Sequence, residues 1–186
     1  MNRVSFRATL FEFIEGTQKF MKNKLEVCSC CGKLVPADIL EISFKFPDDI
    51  AKLREPERSS RIKGNDDAVA LDSTRYFVRG LIPLPVNGRD IPYCIGAWAE
   101  VGIDAYRRIY ELWDDESQGN ESPFQATLAN SIPGHHKSNC YGLSLQLTGP
   151  STRPDFKVTD EATELFKQQT TGITLHEVDD YNSWFR

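Results

Sequence analysis

No stretch of the sequence holds the ~20 consecutive apolar residues that a membrane span requires, so no membrane partner is expected. No secretory leader is expected either. The opening MNRVSFRATLFEFIEG mixes basic and apolar groups, but Glu12 and Glu15 interrupt any signal-peptide core. The expected address is cytoplasmic. A concentrated basic surface is also lacking: 22 Lys and Arg stand against 27 Asp and Glu, for a net charge of -5. That balance favours solubility and argues against nucleic acid as a partner. Five cysteines is an odd number, and three of them (Cys28, Cys30 and Cys31) fall within four positions. This is a poor disulfide framework and fits a reducing compartment. There is no glycine-rich phosphate loop, no HExxH helix and no serine nucleophile elbow. Fold class is therefore more legible than any reaction.

What is present describes one substantial core. The 186 residues, with 40% hydrophobic and 26% charged, predict a single α+β domain over residues 25–186. Residues 1–24 form an expected N-terminal helical arm, with Phe6, Leu10, Phe13 and Ile14 sharing a face. Alternation of Ile42, Phe44 and Phe46 with Ser43 and Lys45 predicts a strand over 38–46. Residues 47–68, mixed in charge, read as a solvated loop or short helix. Strands follow at 69–71 and 75–79. The Asn87-Gly88 turn then leads to a returning strand over 91–101, apolar on both faces and hence central. Pro83, Pro85 and Pro92 suggest that the turn end projects beyond the ladder.

Tyr106, Ile109, Tyr110 and Trp113 mark one face of a helix over 103–113. Residues 124–134 read as a short mixed segment, 140–148 as a clean strand, and 155–158 as a short one. Thr159 or Asp160 caps an expected helix buried through Ala162, Leu165 and Phe166 and stopped by Gly172. Thr174 and Glu177 form a capping box for a last one. Strands followed by segregated helices fit an α+β fold with a mainly antiparallel or mixed sheet.

The motif CSCCG carries the chemistry to be weighed. Cys28-x-x-Cys31 is the first half of a tetrahedral zinc site, which needs two further soft or borderline ligands. The candidates are His135, His136, Cys140 and His176. His136-x-x-x-Cys140 has usable spacing, so a zinc site would consist of Cys28, Cys31, His136 and Cys140. Without a second such half, the alternatives are a redox pair or a cysteine-rich turn packed on the core. Cys30 reads as a bystander. In the centre, Arg79 and Glu100 could pair across two strands as guanidinium and carboxylate. Tyr93 and Trp98, with Trp113, could frame a binding pocket beside them or fill the core.

Several segments in order resemble the DUF2199 family of uncharacterised bacterial proteins. They are Cys28-x-x-Cys31-Gly32, Tyr76-Phe77-Val78-Arg79-Gly80, Ile82-Pro83-Leu84-Pro85-Val86, Gly96-Ala97-Trp98-Ala99-Glu100, Arg153-Pro154 and Gly172-Ile173-Thr174. The resemblance implies a compact bacterial domain and no particular reaction or cofactor. Where it implies a histidine soon after the Cys-Gly pair, this chain has Lys33, Leu34 and Val35. The expected function is a non-enzymatic binding or protein-interaction module, with another protein as one class of partner. The alternative is a metal-dependent or thiol enzyme centred on Cys28, Cys31 and the His135 to Cys140 loop.

Overall fold

β-branched and aromatic residues concentrate in the middle of the chain, and the fold is organised around the two long strands they form. The computed structural model describes residues 25–28, 31–36 and 41–184. In its first half the elements are β1 (Leu25–Val27), β2 (Leu34–Pro36), β3 (Ile42–Ser43), α1 (Asp48–Ala51), α2 (Glu55–Arg61), β4 (Ile62–Gly64) and β5 (Ala68–Leu71). There follow β6 (Arg75–Leu84), β7 (Tyr93–Val101), α3 (Ile103–Leu112), β8 (Phe124–Leu128), β9 (Gly142–Gln146), β10 (Asp155–Val158), α4 (Glu164–Thr171) and α5 (Leu175–Ser183). The expected N-terminal arm lies outside the described residues.

β6 and β7 pair antiparallel along their whole length, from Tyr76 opposite Val101 to Leu84 opposite Tyr93. β7 continues to β8, β8 to β9 and β9 to β10, all antiparallel. β10 then returns to β6 in parallel, at Asp155 opposite Leu81, closing five strands into a small barrel. β5 and β4 extend the sheet beyond β6, and β3 lies parallel beside β7. The architecture is thus α+β with a mixed, mostly antiparallel sheet.

Alternation along the strands divides the apolar residues between two cores. Val78, Ile82, Ile95, Ala97, Ala99, Leu143, Leu145 and Phe156 belong to the main core, which Leu165 of α4 and Val178 of α5 help to cover. The opposite face of β6 and β7 sends Phe77 and Trp98 to meet Val69, Leu71 and Ile50 in a smaller second core beneath α1. This explains why β7 is apolar on both faces.

Several expectations are corrected. Pro83 lies inside the ladder, opposite Cys94, rather than beyond it. The amides of Arg79 and Leu81 point away from β7, to the carbonyls of Asp67 and Pro154. Pro83, two residues on, lacks its N–H on that same side, so no β6–β7 bond is lost. Residues 124–128, read as a mixed segment, are strand β8. On α3 the buried residues are Ile109 and Leu112, whereas Tyr110 is exposed. α4 is capped by Thr163, whose hydroxyl accepts from the Phe166 amide at 3.2 Å, and Ala162 is exposed. Asp160 instead accepts from the Ala162 amide in the preceding turn. The Thr174–Glu177 capping box of α5 is present as read.

Candidate functional site

The CSCCG segment is the turn of a short hairpin. β1 and β2 pair from Leu25 opposite Pro36 to Val27 opposite Leu34. The turn closes through the Cys28 amide to Lys33 O and the Gly32 amide to Cys28 O, both 2.8 Å. Gly32 has φ +70°, a left-handed conformation that glycine adopts without steric cost. Cys28 is buried and Cys31 exposed, and neither is in a disulfide. Cys30 lies outside the described residues.

The structure does not bring Cys28, Cys31, His136 and Cys140 around one point. Among the described residues no three His, Cys, Asp or Glu side chains converge as a metal group. The Cys140 thiol donates to Lys137 O in its own turn at 2.9 Å, and the carbonyl of exposed His136 is held by the Tyr141 hydroxyl at 3.0 Å. The imidazole that reaches Cys31 is His176, on α5, with Nδ1 4.0 Å from Sγ. The separation along the chain is 145 residues, so only the fold reveals the pair.

Arg79 and Glu100 do not pair. Glu100 receives Arg75, whose Nε and Nη2 donate to Oε1 and Oε2 at 2.8 and 2.6 Å, while Nη1 reaches Asp49 at 2.9 Å. Bonded to two carboxylates, Arg75 has its guanidinium pKa raised, chiefly by Glu100. Arg79 sits opposite Trp98 in the register, with Nη2 2.5 Å from Ser43 Oγ and its guanidinium 5.9 Å from the indole ring. Burial, then the nearby Arg153, lowers its pKa. Trp98 and Tyr93 are buried. The Trp98 indole donates to Phe44 O at 3.1 Å, and the Tyr93 hydroxyl donates to Asn182 at 3.0 Å. Burial also pushes the Cys94 thiol up to about 11, so it stays protonated near neutrality.

His135 belongs to a half-buried polar chain on the helical side. Its Nε2 lies 2.6 Å from the Tyr181 hydroxyl, which donates to Gln168 Oε1 at 2.6 Å. The one phenolic proton goes to Gln168, so Nε2 must carry the imidazole proton. Nδ1 is buried without a partner among the described residues. A second ring proton would point there, and burial accordingly lowers the His135 pKa, with Glu164 opposing it weakly. The folded value lies below the ordinary ~6.5, so protonation favours the unfolded chain. This contribution to stability is intact above ~6.5 and is lost as pH falls through the folded value. Urea unfolding measured from about pH 8 to about pH 5 should show declining stability, with a shallower decline in His135→Gln. An unchanged slope in that variant would assign the acid sensitivity elsewhere.

Two cavities adjoin these elements. The larger, about 710 Å³, is lined by Arg75, Tyr76, Glu100, Gln125 and Thr127 beside the start of α3. Its cation is already bonded to Glu100 and Asp49. The second, about 540 Å³, lies between α4 and the ends of β6, β7 and β10. Pro83, Pro85, Pro92 and Phe166 line it, together with the charged side chains of Arg89, Asp90 and Lys157. Arg89 donates to Glu26 of β1, which ties the cysteine hairpin to this cavity. Gln169 holds the wall together, accepting from the Val158 amide at 2.9 Å and donating to Phe156 O at 2.8 Å. The sequence signal for this site was the proline cluster, which reads as turn punctuation until α4 is folded over it.

A closed five-stranded barrel, extended at β5 and β4 and flanked by helices, places the chain among mixed-sheet α+β domains. Residues 27–173 match the model of the family described as an uncharacterized protein conserved in bacteria (DUF2199), and the chain belongs to that family. No curated protein and no solved structure matched it. Among the described residues no helix is long and apolar enough to cross a membrane.

Proposed function

We propose that the protein is a non-enzymatic binding module, and that its ligand is a small amphipathic acid held in the proline-walled cavity. The observation that carries this reading is the composition of that 540 Å³ cavity: three prolines and Phe166 line it, and its charged side chains are two cations, Lys157 and Arg89, against one carboxylate, Asp90. Its size and its mainly apolar wall with a few polar groups are those of small-molecule sites. Proline rings and a phenyl ring offer rigid apolar surface to a flat ligand body. Arg89 is already paired with Glu26, whereas exposed Lys157 is the cation left for a carboxylate.

Naphthaleneacetate and its neutral amide test this directly, read by the probe's own fluorescence. The acid should bind about tenfold tighter than the amide, equivalent to about 1.4 kcal/mol. Lys157→Glu should erase that difference and leave amide binding unchanged, while Phe166→Ala should weaken both. Equal affinity of acid and amide for the unaltered protein, or binding insensitive to Phe166→Ala, would overturn the assignment.

A further inference from the structure

One of the two cations lining the proline-walled cavity is held by a carboxylate from outside it. Arg89 Nη2 donates to Glu26 Oε2 on β1, and Glu26 does not line the cavity. Asp90, the cavity's own carboxylate, is the next residue in the chain, yet the guanidinium reaches Glu26, 63 residues away. The two ends of this pair are anchored unequally. Arg89 stands in the turn between β6 and β7, where its amide donates to Val86 O at 2.9 Å. The same turn is fastened ahead of α5, the Asn87 amide donating to Ile173 O at 2.8 Å and the Ile173 amide to Pro85 O at 2.7 Å. Glu26 stands on a two-stranded hairpin of three residues a strand, with exposed Leu25 and Val27 on either side of it. A hairpin of this size is marginal by itself, so it is the end that can give way. With side chains 28% and 31% exposed, the pair is open to an incoming carboxylate.

We propose that Glu26 is a built-in competitor for the acid ligand: its carboxylate occupies the Arg89 guanidinium, and a bound acid takes that guanidinium from it. The inference rests on the acid-binding reading of the cavity and adds how that site is regulated. Arg75 shows that one guanidinium can serve two carboxylates, Glu100 and Asp49. At Arg89, however, Asp90 already brings a second carboxylate to the cavity, so a ligand's would be the third. Like charges gathered this closely disfavour one another, and Glu26 is the one free to withdraw with its hairpin. Exchanging one carboxylate for another on Arg89 gains little, which leaves Lys157 to distinguish an acid from its neutral amide. Apparent affinity for the acid is reduced by the fraction of molecules in which Arg89 is released. The coupling is reciprocal: loosening the hairpin favours the acid, and the acid loosens the hairpin by the same factor.

Fluorescence titration with naphthaleneacetate and its amide, extended to Glu26→Gln, reads the competition. The variant should bind the acid about fivefold tighter than the parent, the upper end for a partly exposed ion pair, and the amide within about twofold. Cys28 and Val35 keep the hairpin packed on the main core, so the variant retains the fold. In the unaltered protein, saturating acid should speed hydrogen exchange at the Cys28 amide, which is bonded to Lys33 O across the hairpin turn. The acceleration should again be about fivefold, and saturating amide should cause none. An acid affinity unchanged in Glu26→Gln, or acid and amide tightened equally, overturns the proposal. So does hairpin exchange that the acid leaves unaltered or slows, since Glu26 and the ligand would then share Arg89. Those results leave the acid-binding reading standing wherever the parent still prefers acid to amide. If neither parent nor Glu26→Gln prefers the acid, both readings fall. An acid preference that emerges only in Glu26→Gln upholds the competitor and assigns the discrimination to Arg89.

Discussion

Trp98→Ala should lower the stability of the protein by about 4 kcal/mol, the scale of a large aromatic truncated within a core. Trp98 is only 1% exposed and packs with Ile50, Val69, Leu71 and Phe77 in the second core. Losing it opens a void under α1, whose one buried residue, Ile50, leans on the same cluster. The truncation also removes the donor to Phe44 O and the ring beneath the Arg79 guanidinium. Urea denaturation should show the midpoint falling by about 2 M with the slope nearly unchanged. Trp98→Phe retains most of the packing and loses the indole bond, so its cost should be about 1–2 kcal/mol. A Trp98→Ala protein destabilised by less than about 1 kcal/mol would mean that the indole serves a ligand rather than the core.

The contrast between Trp98 as wall of a pocket and Trp98 as core shows where sequence patterns lose force. Alternation places Trp98 and Glu100 on one face of β7 and Arg75, Phe77 and Arg79 on one face of β6. Which arginine meets Glu100 depends on register. Phe77 is directly opposite Glu100, leaving Arg75 and Arg79 as its two diagonal neighbours. Asp49 on α1 supplies a second carboxylate to Arg75, and Ser43 engages Arg79 from β3. Neither influence is visible in the local pattern.

Local mechanisms were legible and long-range ones were not. The Thr174–Glu177 box is decided within four residues, and the structure contains it. The helix before it was expected to be capped by Thr159 or Asp160, and the path of the chain puts the cap at Thr163 instead. β9 announced itself through the alternation that includes Leu143 and Leu145. β8 did not, because its one fully buried side chain is Leu128. For the cysteine turn, spacing along the chain favoured His136 and Cys140. The fold instead returns α5 to the hairpin, so the nearest imidazole comes from His176. The Cys28-x-x-Cys31 spacing was readable, whereas the imidazole beside it needed the tertiary structure.

Barrel closure was the least legible feature, and it rests on a glycine that can be tested. Gly80 faces the main core between Val78 and Ile82, where β10 returns to β6. A Cβ at this position would lie 2.4 Å from two atoms of the Phe156 ring and 2.6 Å from Pro154 O. The ring could turn only by disturbing a fully buried residue. The carbonyl is backbone and accepts the Leu81 amide at 2.9 Å, so displacing it pulls on the bond that joins β10 to β6. Gly80→Ala should therefore cost about 3 kcal/mol, toward the upper end for overpacking, because one of the atoms in the way is backbone. Hydrogen exchange at the Leu81 amide should accelerate beyond what the global loss of stability explains. Gly119→Ala is the matched control: its nearest neighbour would be 3.8 Å away, so a change within about 0.5 kcal/mol is expected. Adding Phe156→Leu to Gly80→Ala should cost less than the sum of the two single changes, because the smaller side chain relieves one of the two clashes. Strict additivity, or a Gly80→Ala protein as stable as the parent, would mean that β10 closes the barrel without needing the space that glycine leaves.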